Sequence, residues 1–305
     1  MAIGQSLAAQ HAGSILHDTD SIVPSHQTKL YIAAAGTAAS YALTIAALSN
    51  TWYNHYPRSS FHFFNDTKDW LQLDKMGHVF SSYTVSRLGG ELWRWAGLTG
   101  DKRVWVAGLS GAFYMTTIEV MDGFSTEWGF SMGDIAANLA GSFLYISQEL
   151  GWREQRLQIK FSSHHNNYGD QLLNQRAGEL FGYRSMERTL KDYNAQTYWL
   201  SANLYAFTKA GSLPRWLNLA VGYGANGMFG GSQNMFKDKT GAVVFDRRDI
   251  YRYRQWWLAP DIDLTRIKTK SKFLKTAFFL LSSFKFPTPA IGFSKKGMEW
   301  KWMQF

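Results

Sequence analysis

Carboxylates and an amide planted at the ends of apolar segments constrain this chain more than any other feature. The uncharged run Val104–Ile118 ends in Glu119 and Asp122. A turn rich in Gly, Ser and aromatics follows, and a second apolar segment then opens with Asp134 and Asn138 on one face. A charge held between apolar helices is costly unless it is paired, neutralised or bound to a cation. The rest of the chain is organised around that requirement.

The apolar segments read as helices. Leu30–Leu48 carries no charge, and at ~1.5 Å per residue it is long enough to cross a hydrocarbon core of ~30 Å. Its small residues (Ala34, Gly36, Ala38, Ser40 and Ala42) predict close packing against another helix. Trp52, Tyr53, Tyr56 and Pro57 follow, as at a membrane interface. A second helix is expected over Asp74–Trp95, a third over Arg103–Glu119 and a fourth over Ser131–Leu150. Gly108 with Ala112, and Ala137 with Gly141, repeat the small-xxx-small spacing. A membrane-embedded four-helix unit and the buried bundle of a soluble protein both fit. Arg94, Lys102, Arg103, Arg153 and Arg156 gather at one set of helix ends, which favours a cytoplasmic C-terminal half and hence the inner membrane. An outer-membrane or periplasm-facing position stays open.

Beyond Gly151 the pattern changes. Residues 152–195 are polar and read as a linker with short helices, one of them at Arg184–Asp192. Period-two alternation then begins at Gln196, and further strands are expected at Trp216–Tyr223, Gln255–Leu264 and Met298–Phe305. An amphipathic or buried helix is expected over Lys270–Phe284. The fold class is therefore α+β: an N-terminal four-helix bundle, read as membrane-embedded, followed by an antiparallel β-rich region. The expected divisions are a polar tail at 1–28, the helical unit at 29–151, the linker at 152–195 and the β-rich region at 196–305.

Composition narrows the function classes. The 305 residues hold no Cys, which excludes disulfides and thiolate metal sites, and their 46% apolar content excludes disorder. A net charge of +9 is scattered without a basic block or nucleic-acid motif, so anionic lipid suits it and nucleic acid does not. Aromatic residues at 16% fit interface belts or aromatic strands. The N-terminal tail lacks the basic start and apolar run of a signal peptide, although Ala8-Ala9-Gln10-His11-Ala12 is similar to the end of one.

Asp74-Lys75-Met76-Gly77-His78, then Glu119, then Gly129-Phe130-Ser131-Met132-Gly133-Asp134-Ile135-Ala136-Ala137-Asn138-Leu139-Ala140-Gly141 resemble the YfiM-like family of envelope proteins and, more distantly, the VanZ-like superfamily. The resemblance covers roughly residues 30–150 and implies a cell-envelope protein built on a four-helix membrane unit. Two departures stand out. The Glu-x-x-Gln of the VanZ-like group is here Glu119-Val120-Met121-Asp122, and the Arg of the following loop is missing between Asp122 and Asp134. Some relatives are described as periplasmic lipoproteins, whereas these residues include no Cys to carry a lipid.

Spacing brings the motifs together. Asp74 and His78 share a helix face with Lys75 beside them, Glu119 and Asp122 close a helix, and Asp134 and Asn138 open one. In an antiparallel bundle all of these lie at the same end. His78, Glu119, Asp122 and Asp134 could hold a divalent metal ion, and the whole cluster could bind a lipid head group or a protein partner. A polar core that merely stitches helices together fits equally well: Asp74 as an N-cap, Ser131-x-x-Asp134 as a capping box, and Asn138 as interhelical glue. Gly123, Gly129, Gly222-Tyr223-Gly224 and Gly227–Gly231 read as turns, and His164-His165 as a solvated loop. The expectation is a non-enzymatic envelope-assembly or binding component. Its alternatives are an enzyme using His78, Glu119 and Asp134 on a lipid or cell-wall precursor, and a structural subunit partnered by other envelope proteins. The trio His78, Glu119 and Asp122 carries most of the interest.

Overall fold

The computed structural model describes residues 25–51 and 57–304. The expectations for Ala8–Ala12, for Trp52, Tyr53 and Tyr56, and for Phe305 lie outside the described residues. Helices occupy the N-terminal half and an antiparallel sheet the C-terminal half, so the α+β class holds.

The four expected helices form within a few residues of their expected bounds: α1 at His26–Thr51, α2 at Leu73–Trp95, α3 at Gly100–Asp122 and α4 at Met132–Trp152. Glycine sets how closely α2, α3 and α4 approach. A Cβ on Gly111 would come 2.2 Å from Ser86 Oγ, one on Gly108 2.3 Å from the Ile146 side chain, and one on Gly141 2.3 Å from the Val79 carbonyl oxygen. Buried serines fill the seam: Ser82 Oγ lies 2.6 Å from Ser142 Oγ and donates to the Asn138 carbonyl at 2.6 Å. Helix α1 departs from expectation. Ala34, Gly36, Ala38, Ser40 and Ala42 face outward, and a Cβ on Gly36 would touch nothing. Contact runs instead through Tyr41, whose hydroxyl donates to Thr117 Oγ1 at 2.6 Å while its ring stacks on Phe113. An aromatic ring with a hydrogen-bonding tip supplies more contact than the small-residue stripe opposite it. Two of the helices, α1 and α3, are long and apolar enough to cross a membrane.

The stretch read as a linker contains β1 (Leu157–Ser163), α5 (Gln171–Phe181) and α6 (Ser185–Lys191). Next come β2 (Gln196–Asn203), the short α7 (Leu204–Thr208), β3 (Leu217–Asn226), the small hairpin β4 (Met235–Lys237) and β5 (Val243–Asp246), and β6 (Tyr253–Ile262). The chain ends with α8 (Lys272–Leu281), β7 (Thr288–Ser294) and β8 (Gly297–Gln304). Gly222, Tyr223 and Gly224, expected in a turn, lie inside β3. Gly222 makes room for its neighbour, since a Cβ there would come within 2.7 Å of the Trp199 ring on the adjacent strand.

The sheet order is β1-β2-β3-β6-β7-β8, and its alternation is inverted. Lys160, Trp199, Gly222, Trp257 and Gly292 form one cross-strand row on the enclosed face, with Ser201 and Asp261 nearby on the same side. Ile159, Leu200, Val221, Leu258, Ile291 and Trp300 form a row on the other face. The sheet curls until the approach to β7 meets the free edge of β1: Phe161 N donates to Ser283 O at 3.0 Å, and Lys285 N to Phe161 O at 2.9 Å. Lys160 on β1 can therefore reach Asp261 on β6 at 2.6 Å through the interior, although two strands separate them in the sheet. The result is a small, nearly closed barrel whose interior sets Lys160, Ser201 and Asp261 among the buried Trp199, Ala220, Trp257, Ala259 and Ala290. Its outer face packs Phe161, Tyr198 and Tyr223 against Leu73, Met76 and Phe80 of α2.

Candidate functional site

The end of the bundle where α2 begins, α3 ends and α4 begins gathers the polar motifs. Its foundation is an unusual turn. Trp70, Leu71 and Gln72 all adopt left-handed backbone angles (φ 48°, 51° and 66°), each costing about 1–2 kcal/mol for an L-residue. The barrel side holds that turn in place: Trp70 N donates to Gly231 O at 2.8 Å, and Tyr223 Oη donates to Leu71 O. Gln72, not Asp74, precedes the helix. Asp74 is thus not the expected N-cap; it lies in the first turn of α2, where it accepts a 2.9 Å hydrogen bond from Tyr193 Oη. Burial, reinforced by Asp74, holds the Tyr193 phenol well above its usual pKa, so it remains a donor.

Lys75 is the hub. Its Nζ lies 2.6 Å from Asp134 Oδ1, 2.7 Å from Asp66 Oδ2 and 3.0 Å from Asp74 Oδ2. The stem passes over Gly133, where an added Cβ would press on Lys75 Cε at 3.2 Å. His78 sits behind it with carboxylates on both sides. Nδ1 is 3.1 Å from Asn138 Oδ1, to which it donates, and 3.5 Å from Glu119 Oε1. Nε2 is 3.7 Å from Asp134 Oδ1 and 3.9 Å from Asp74 Oδ1. Two deeply buried atoms in this cluster, Glu119 Oε1 and Asn138 Nδ2, have no hydrogen-bond partner among the described residues.

The expected capping box forms only by half. Ser131 Oγ accepts from Asp134 N at 3.1 Å, but the Asp134 carboxylate turns to Lys75 instead of reaching back. Glu119 takes up the reciprocal role from another helix, accepting from Ser131 N at 3.4 Å. The first turns of α2 and α4 favour Asp74 and Asp134 through their helix dipoles, whereas Glu119 and Asp122 sit at the C-terminal end of α3, where the dipole opposes them. Acids placed against a dipole and beside other acids are a local inconsistency of the kind that marks sites.

Above the cluster opens a cleft of about 580 Å³ with an acidic wall that includes Asp66, Asp69, Asp122, Glu127 and Glu179, with Arg176 the one Lys or Arg among its described lining residues. Burial, then Asp66, raises the Asp69 carboxyl above its ordinary pKa. Ligand atoms of Asp74, His78 and Asp134 lie within 4.8 Å of one another. This set differs from the one expected: Asp74 joins it, Glu119 approaches only the other ring nitrogen, and Asp122 stands on the cleft wall. Asp74, Lys75, His78, Glu119, Asp134 and Asn138 do converge. Sequence reasoning missed Asp66 and Tyr193, which lie in irregular segments with no period to place them.

Residues 62–147 are similar to a family described as "Predicted periplasmic lipoprotein (DUF2279)", a match to less than a third of the chain that contains the whole α2–α4 part of the cluster. No curated protein and no solved structure matches. The likeness is to a cell-envelope family; it gives no support to the inner-membrane position that loop charge favoured.

Proposed function

We propose that the chain is a membrane-embedded component of the bacterial cell envelope whose acidic cleft binds a divalent cation through Asp74, His78 and Asp134. One observation carries the reading: the ligand atoms of these residues come within 4.8 Å of one another on the floor of an acidic cleft. Oxygen donors with one imidazole suit manganese, zinc or calcium. Asn138 and Tyr193 act behind the ligands, fixing the His78 ring and the Asp74 carboxylate. The likeness of Asp74-Lys75-x-x-His78, Glu119 and Asp134-x-x-x-Asn138-x-x-Gly141 to the YfiM-like and VanZ-like patterns belongs to this reading, as do membrane lipid and other envelope proteins as partners.

Binding is favoured over turnover because both ring nitrogens of His78 are already flanked and Ser131 Oγ, a hydroxyl beside the cluster, is committed. It receives Asp134 N and donates to Asp66 Oδ1 at 2.6 Å. Lys75 makes the test decisive. In Lys75→Met three carboxylates lose their ammonium, and removing one partner of a buried ion network costs about 3–5 kcal/mol. If the cluster is a cation site, millimolar Mn²⁺ or Ca²⁺ restores most of that loss in thermal unfolding, and calorimetry on the parent chain finds one equivalent bound, abolished in Asp74→Asn. A Lys75→Met protein that no divalent ion stabilises, together with no binding to the parent chain, leaves only a stitched helical core.

A further inference from the structure

The opposite end of the bundle holds a second, oppositely charged cavity. Where α2 ends, α3 begins and α4 ends, a cavity of about 250 Å³ is lined by Arg87, Arg94, Arg103, Arg153 and Arg266 among others. Four of these are matched by acids: Arg94 with Glu91 at 2.6 Å, Arg103 with Glu149 at 2.7 Å, Arg153 with Asp101 at 2.6 Å, and Arg266 with Glu154 at 3.1 Å. Arg87 is the exception. It is 5% exposed, donates to Ser282 Oγ at 2.9 Å and stacks on Phe279, yet no carboxylate lies within 4 Å of it among the described residues. A buried guanidinium without a counter-charge is expensive, and its rigid fork of donors is shaped for phosphate or carboxylate oxygens. In the same cavity the Tyr145 hydroxyl, on a residue 2% exposed and packed against Gly90, has no hydrogen-bond partner among the described residues.

This polar cavity runs into an apolar groove of about 960 Å³, the two sharing Arg94, Arg266 and Phe279 in their walls. Leu92, Leu264, Ile267, Phe278 and Leu280 line the groove, with Lys268 and Lys275 also on it. Helix α8 forms one side and buries none of its residues, although most of them are apolar. A headgroup-sized cationic cavity that opens into a long apolar groove matches an amphiphile with an anionic head.

We propose that this end of the molecule binds a phosphate-headed lipid, its phosphate against Arg87 and the Tyr145 hydroxyl and its acyl chain along the groove under α8. The site is separate from the acidic cleft and stands or falls independently of it. The test uses the full chain reconstituted in phosphatidylcholine nanodiscs, with dioleoyl phosphatidic acid as the lipid probe and inorganic phosphate as the free anion. Wild type is expected to retain phosphatidic acid at least about tenfold over phosphatidylcholine, as one charge-assisted contact is worth about that factor. Arg87→Met abolishes the preference. Leu280→Asn, at a half-exposed position where folding is not at stake, weakens lipid retention about tenfold without changing any response to inorganic phosphate. Arg248→Met, at an exposed ion pair on the far hairpin, changes nothing. Equal retention of the two lipids by wild type overturns the proposal, and so does inorganic phosphate binding as tightly as the lipid. If Arg87→Met does not fold, unaltered retention in Leu280→Asn overturns it alone.

Discussion

Two buried lysines share one carboxylate inside the barrel, and that imbalance is measurable. Lys160 takes Asp261 at 2.6 Å, while Lys285 is left 3.9 Å from the same side chain. Burial, with Lys160 adding to it, lowers the Lys285 pKa from 10.5 to about 8 against the pull of Asp261. Below pH 8 folded and unfolded chains both carry this proton, so stability is flat. Between about pH 8 and 10.5 the unfolded chain alone keeps it, and stability therefore rises with pH, by on the order of 3 kcal/mol in total. The rise should appear in thermal melts of the parent protein between pH 8 and 10 and vanish in Lys285→Met; its persistence in that variant assigns it to another group. None of this was legible beforehand. Lys160 and Lys285 look like ordinary solvated lysines, because only closure of the barrel brings them together. At the acidic cleft the balance was different. Asp74, His78, Glu119 and Asp134 stand at helical spacing beside turn signals, which put them at one end of the bundle, whereas Asp66 and Tyr193 reach the cluster from irregular segments whose direction no periodicity encodes.

Among the elements, the helices and the strands β2, β3, β6 and β8 were readable, whereas β1 and the closure of the barrel were not. An uncharged run bounded by Gly, Ser and Asp means a helix whether lipid or protein surrounds it, and α3 and α4 formed accordingly. Strand β1 carries Gln158, Lys160 and Ser162 on its enclosed face, so a reading that puts polar residues in water sees a linker. The barrel also does something for the helices. It holds the left-handed turn at Trp70–Gln72 that delivers Asp74 and Lys75, chiefly through Tyr223 Oη to Leu71 O and the Arg254 bond to Gln72. Tyr223→Phe keeps the ring packed against Trp256 and deletes only the hydroxyl. A loss of about 1 kcal/mol in global stability is expected. Because the turn carries strain that the hydroxyl helps to contain, the cation affinity proposed for Asp74 should fall as well, by about three- to tenfold in calorimetry. Unchanged affinity would show that the turn holds its shape without the barrel.

The whole molecule is polarised twice over. Along the bundle axis an acidic cleft at one end faces an arginine-lined cavity at the other. Across the axis, outward faces are apolar: Trp105, Leu109 and Phe113 on α3, Phe143 on α4, and Leu219, Val221, Trp256 and Trp300 on the barrel are all at least about two-fifths exposed. Phe61, Phe63 and Phe124 ring the acidic end, where aromatic side chains suit a membrane–water boundary. The 23 residues of α3 rise about 34 Å, close to the ~30 Å hydrocarbon thickness of a bilayer, so the two charged ends would emerge on opposite sides. The absence of native cysteine makes this directly testable. Single cysteines introduced at the exposed Thr99, before α3, and at the exposed Thr126, beyond its end, give two reporters on otherwise unlabelled protein. In intact vesicles a membrane-impermeant maleimide is expected to label only one of them, and the other only after permeabilisation. Labelling of both from one side, with release of the protein by carbonate, would mean that the apolar faces are covered by other proteins and that α3 does not cross the bilayer.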